Sequence, residues 1–202
     1  MTTQSWPTSR HFFPRDMKFS PRVPKSAFAA AYTGQTQEVS HSADRIVLSM
    51  TLGPCREPEA GERESFFWSL ASTGDWVNLW HMQRPIPNGT LRGSPTAGAA
   101  ASAGARTLTV QTTAGATLKA GDMLGNAGQL LMCAYPGATA NGSGVLTMPL
   151  VMPLRKAVSN TSALTWDKPT GTFKLQAEQP ETSYVAPRMQ LGMDLVFLEV
   201  FT

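Results

Sequence analysis

The chain closes on Arg188-Met189-Gln190-Leu191-Gly192-Met193-Asp194-Leu195-Val196-Phe197-Leu198-Glu199-Val200-Phe201-Thr202, and the alternation in this stretch decides the fold class. Successive side chains of an extended strand point to opposite faces. Met189, Leu191, Met193, Leu195 and Phe197 therefore share one face, and Val196, Leu198 and Val200 line the other. A strand apolar on both faces is expected inside a sheet, with packing on each side. It cannot be a tail; it must complete a core begun earlier in the chain.

Working outward, the same period of two recurs at 172–176 and at Arg45–Leu52, where Ile46, Leu48, Met50 and Leu52 face one way. Residues 75–82 set Trp76, Asn78, Trp80 and Met82 opposite Val77, Leu79 and His81. One helix is predicted, over 57–72. Pro58 suits its first turn, and Glu57, Glu59, Glu62 and Glu64 complement its positive end. Phe66, Phe67 and Leu70, with Ala71 beside them, form the apolar face; Arg63 shares the i, i+4 row of Phe67 and Ala71. Gly74 is placed to end the helix.

Between 84 and 171 the character changes. Arg84-Pro85-Ile86-Pro87-Asn88-Gly89 reads as a linker, and 94–104 is rich in Ala, Gly, Ser and Thr. Short strands are predicted at 107–111, 123–124, 129–135, 144–151 and 162–166. Turns are expected at Ala120-Gly121-Asp122, Gly125-Asn126, Pro136-Gly137 and Asn141-Gly142. That spacing fits a small β-barrel or sandwich.

Charged residues make up 15% of the chain, low against the usual ~25%, which suits a surface partly covered by neighbours. The net charge of +3 is concentrated in residues 1–27, where Arg10, Arg15, Lys18, Arg22 and Lys25 oppose only Asp16. The remainder is close to neutral, and no basic helix points to nucleic-acid binding. Pro7, Pro14, Pro21 and Pro24 exclude a helix there and favour an extended arm. Its aromatics give it something to bury against the body or another subunit. Arg10, Phe12, Phe13, Arg15, Lys18, Phe19 and Arg22 are thus candidate inter-subunit residues.

Cys55 and Cys133, far apart and outside any CxxC, read as reduced core residues of a protein made in a reducing cytoplasm. No signal peptide is visible, and apolar stretches fall short of the ~20 residues a membrane helix needs, so no membrane insertion is expected. His11, His41 and His81 lack metal-ligand spacing. No nucleophile elbow, phosphate loop or dinucleotide fingerprint occurs. Asp75, Asp122, Glu178 and Glu181 offer carboxylates, but any chain with 14 acidic residues offers such pairs. No catalytic residue, metal or cofactor is expected. Trp76 and Trp80, four apart on one strand face, could stack on a sugar ring, though large aromatics more often fill β cores. Trp166 is the only tryptophan of 85–170.

The order of features carries a resemblance: a Pro-rich aromatic arm, the strand Arg45–Leu52, and an acidic-start helix with Phe66-Phe67-Trp68. Then come Trp76-Val77-Asn78-Leu79-Trp80, a module with Leu118-Lys119-Ala120-Gly121-Asp122 and Gly128-Gln129-Leu130-Leu131-Met132, and Pro153-Leu154-Arg155. Gly171-Thr172-Phe173-Lys174-Leu175 and the final strand complete it. This order resembles the distal tail, or tail hub, proteins of long-tailed, siphovirus-like bacteriophages. The resemblance implies a structural virion protein forming a hexameric ring between the tail tube protein and the tip or baseplate hub proteins. DNA would pass through the lumen without specific binding. Assembly would occur in the host bacterial cytoplasm and the product would reside in the virion tail. It also implies a mostly-β fold: a β-sandwich belt with one helix at 1–84 and 171–202, interrupted by an inserted barrel or sandwich module at 85–170. The alternative is a carbohydrate-binding, host-recognition module, with Trp76, Trp80 and Trp166 as its aromatics. A tail-tip hydrolase lacks any supporting constellation.

Overall fold

Strands alternating apolar and polar residues must bury one face, and here five such segments and one short one assemble into a single sheet. The computed structural model describes residues 2–29, 35–40, 44–176 and 180–201; His41 and Glu178 lie outside them. The protein is mostly β, in several sheets, with one α-helix. The largest sheet runs in the order Thr3–Ser5, Trp76–Trp80, Thr170–Leu175, Met193–Glu199, Arg45–Leu52, Pro14–Arg22. The first pair is parallel and the rest are antiparallel. Its strands therefore come from both ends of the chain.

Register aligns the inward residues into rows. Phe197 sits opposite Leu48, which sits opposite Phe19; Leu195 is opposite Met50, which is opposite Met17. Val77, Leu79, Phe173, Phe197, Leu48 and Leu52 are fully buried on this face, each contributing about 1.5–3 kcal/mol of transfer free energy. The helix Glu59–Thr73 covers it with Phe67 and Leu70, and Gly74 ends the helix in the left-handed conformation (φ 63°).

The 1–27 segment is part of this body. Its first strand extends the sheet in parallel, and Asp75 fastens it by accepting from the Thr2 N–H (2.8 Å) and hydroxyl (2.7 Å). These bonds hold the Asp75 carboxyl well below the usual carboxylate range. Trp6 and Phe12 enter the core edge-to-face, 6.0 Å apart, and both meet Phe66 and Phe67.

The closing strand departs from its expectation on one point. It is central in the sheet, but only one face is buried: Val196 is 41% exposed and Asp194 is exposed. The predicted run also breaks at Gly192, so that Met189–Gln190 leaves to pair with Tyr184–Val185 and Cys55–Arg56. A Cβ at Gly192 would sit 2.9 Å from the Leu52 carbonyl oxygen.

Residues 91–164 build a second core around Leu108, Val110, Leu124, Leu131, Cys133, Leu146 and Met148. Thr107–Gln111 pairs with Val145–Pro149 and Thr96–Ala97; Met123–Asn126 pairs with Gln129–Met132; Thr117–Leu118 pairs with Ala138–Thr139. The turn expected at Gly125-Asn126 lies instead at Ala127-Gly128, both with positive φ, the tight hairpin geometry that follows strand twist. The strand predicted over 162–166 reduces to isolated bridges at Ala163 and Thr165. In the hairpin Met123–Asn126/Gln129–Met132, Met123 and Leu130 join the body core while Leu124 and Leu131 join the second. One hairpin is therefore shared between two cores.

Candidate functional site: a basic sheet edge and the buried charges behind it

Pro14–Arg22 ends the six-stranded sheet and, among the described residues, pairs only with Arg45–Leu52. An edge strand offers backbone donors and acceptors to another strand, but here Pro14 and Pro21 carry no N–H and the Met17 N–H is bonded to Asp16 Oδ1 (3.0 Å). Arg15, Lys18 and Arg22 are exposed along it; Phe19 is half-buried and stacks on His81 at 4.5 Å. Lys18 reaches Asp16 (3.4 Å), both largely in solvent, an ion pair worth little. Of the candidate arm residues, Phe12 is 3% exposed and committed to its own core, so it offers nothing to a neighbour. Arg10 and Phe13 stay at the surface beside the strand. The hairpin Lys25–Ala29/Thr36–Ser40 continues from this edge, paired only within itself among the described strands, with Phe28 63% exposed.

The sugar-stacking candidates are placed less favourably. Val77 and Leu79 take the core face, leaving Trp76 and Trp80 half-buried on the opposite face. Trp166 packs against the second core with its indole N–H bonded to the Gly93 carbonyl (2.7 Å) and Arg92 over its ring at 5.0 Å. No ring contact among the described residues joins these three tryptophans.

Two buried charges went unforeseen. Glu199, fully buried at the end of the closing strand, accepts from the Ile46 N–H (3.1 Å), the Leu130 N–H (3.3 Å) and Arg155 Nη2 (2.7 Å). One carboxylate thus ties the body strand Arg45–Leu52 to the module. Burial pushes its carboxyl above the ordinary range, and Arg155 only partly offsets that. Arg63, 1% exposed, donates from Nη1 to the Gly53 carbonyl (2.7 Å) and from Nη2 to the His11 carbonyl; Nη1 also reaches Gln190 Oε1 (3.4 Å). Burial lowers its pKa. The available signal was a charged residue at an apolar-face position: Glu199 in the row of Leu195 and Phe197, and Arg63 in the row of Phe67.

Asp122 accepts from the Asn88, Gly89 and Lys119 N–H groups and pins the linker to the module. His11 lies 3.2 Å from Glu62. Cys55 and Cys133 are buried free thiols whose pKa values burial raises, that of Cys133 to about 11. Among the described residues no group of three His, Cys, Asp or Glu could hold a metal ion, and no helix is long and apolar enough to cross a membrane. Compared with known proteins, the sequence matches no family model and no curated protein.

Proposed function

We propose that the chain is a structural ring subunit of a long-tailed bacteriophage tail, a distal tail (tail hub) protein joining the tube to tip or baseplate proteins. The reading rests on the resemblance in feature order, and the observation that carries it furthest is the open edge. A nine-residue basic strand terminates a sheet built from both chain ends, next to a self-paired hairpin with an exposed phenylalanine. Heterologous contacts through such an edge generate a ring where their rotation closes, and an open filament where it does not. In this reading the six-stranded sheet with its helix is the belt, the second core is a barrel- or sandwich-like insertion, and six copies surround a lumen through which DNA passes. The role requires no cofactor and no catalysis, and places the protein in the virion tail after assembly in the host cytoplasm.

Sedimentation velocity and negative-stain microscopy of the full chain over a range of concentrations test it. Six-membered rings, alone or on adding the tube protein, are the expected result. A monodisperse monomer at high concentration that stays monomeric with the tube protein overturns it.

A further inference from the structure

Behind the basic edge lies a cleft of about 310 Å³ between the turn at Arg10–Phe12, the start of the edge strand, the Gly53-Pro54-Cys55 bend and the first turns of the helix. Its charges do not balance. Arg63 forms its floor, shut away from solvent, and its guanidinium touches only uncharged acceptors: two backbone carbonyls and the Gln190 amide oxygen. Its Nε, like Gln190 Nε2, has no hydrogen-bond partner among the described residues. Buried cations are ordinarily paired with a carboxylate, because desolvation is otherwise uncompensated. Glu59 lines the same cleft and is felt by Arg63 across space, but makes no ion pair with it. Cys55 contributes no negative charge, since burial raises its thiol pKa.

Arg10 and Arg15 also line the cleft, and neither forms an ion pair with an acid among the described residues. Arg15 lies across Gly53 so closely that a Cβ there would meet its Cδ at 2.8 Å. The glycine thus admits the side chain to the cleft. Three guanidinium groups therefore face one carboxylate.

We infer that this cleft is a binding site for a doubly charged oxyanion, held by Arg10 and Arg15 at the mouth with Arg63 as a fixed positive charge beneath. Planar guanidinium forks match the paired oxygens of phosphate and carboxylate. The field of Arg63, in low-dielectric surroundings, is screened less than that of an exposed cation. The inference is independent of whether the chain forms a ring.

Titration calorimetry of the full chain with inorganic phosphate and with malonate, at ionic strength fixed with sodium chloride, tests it. Saturable one-to-one binding of at least one anion is expected, with affinity falling at least tenfold in Arg15→Gln and in Arg10→Gln. Lys18→Gln, which removes a neighbouring exposed charge outside the cleft, should leave affinity within twofold. Binding of phosphate alone assigns a tetrahedral ligand, and binding of both assigns a general oxyanion site; each supports the inference. No binding of either anion, or an equal loss in Lys18→Gln, overturns it. Sedimentation of the same samples keeps any change of assembly separate from the binding result.

Discussion

The hairpin Met123–Asn126/Gln129–Met132 and the closing strand Met193–Glu199 both place apolar side chains at consecutive positions, yet they occupy different surroundings. In the hairpin each face meets a core: Met123 and Leu130 contact the body, Leu124 and Leu131 the module. In the closing strand Met193, Leu195 and Phe197 are buried while Val196 stands exposed behind them. A central place in a sheet covers a strand's edges, not its faces. The face is covered only if a second layer arrives, and in this chain the second layer arrives at the hairpin.

The strongest way to break this arrangement is at the charge that fastens the two regions. Arg155→Met leaves the Glu199 carboxylate buried with only two main-chain N–H donors. The expected cost is about 3–5 kcal/mol in urea unfolding at neutral pH. The pH dependence has a definite sign. Glu199 titrates above its unfolded value of ~4.3, and more so without Arg155. The folded state then holds the proton more tightly than the unfolded one, so stability falls as pH rises from ~4.3 through the raised folded value. The variant's deficit should therefore be smallest at the acid end, and adding Glu199→Gln should flatten the curve. A deficit independent of pH would mean that Arg155 acts by packing alone.

Next in size, Leu130→Ala and Leu131→Ala each remove a fully buried leucine from opposite faces of one strand, at about 2–5 kcal/mol. If the hairpin belongs equally to both cores, each variant still unfolds in one transition. Tryptophan fluorescence, with Trp6 in the body and Trp166 in the module, should coincide with circular dichroism. Two separated transitions in Leu131→Ala would show that the module melts alone and that the hairpin is merely adjacent to the body. For the same reason, excising 86–169 would strip Met123, Leu130 and Met152 from the body core and leave Glu199 without Arg155. Residues 86–169 thus contribute side chains to the body core as well as to their own.

This division explains what could be read in advance. Alternation in Arg45–Leu52 and the helix with its Gly74 stop are local properties, fixed by period and backbone geometry, and they were legible. Which face of Trp76–Trp80 is inside was not: both faces carry large apolar groups, and the choice of Val77 and Leu79 depends on the helix and on Phe173 across the strand pair. Nor could the sequence pair Glu199 with Arg155, because their partnership depends on how two distant segments dock. The 1–27 segment was legible as extended, but its aromatics alone could not say that Trp6 and Phe12 fill their own chain's core. Of the candidate site, the basic edge was visible as charge; Arg63 was visible only as an arginine on an apolar row.

Gly171→Ala sharpens the comparison at the point where body and module touch. A Cβ there would meet Phe173 Cε2 at 3.0 Å and Leu130 Cβ at 3.3 Å. Both neighbours belong to the body core, and Leu130 is brought there by the hairpin. Overpacking of this kind costs about 1–3 kcal/mol. Pairing the change with Phe173→Leu should recover part of the loss, since the shorter side chain removes the ring carbon that stands 3.0 Å from the new methyl. Strictly additive losses would show that the Leu130 Cβ and main chain, not the Phe173 ring, supply the clash.

The smallest effect is the most informative about the closing strand's second face. Val196→Thr keeps the β-branched shape that suits a strand and exchanges one methyl for a hydroxyl at a position 41% exposed. In the isolated chain it should change stability by no more than about 0.5 kcal/mol, against several for a residue on the buried face. Under the proposed ring, neighbours could cover this face. The same substitution would then leave the dilute monomer untouched and lower the apparent stability only at concentrations where rings form, because assembly adds to stability by mass action. Thermal unfolding at two widely separated concentrations separates the cases. A loss at the dilute limit as large as that of Leu130→Ala would mean that Val196 is already buried within one chain, and that the closing strand and the hairpin are alike after all.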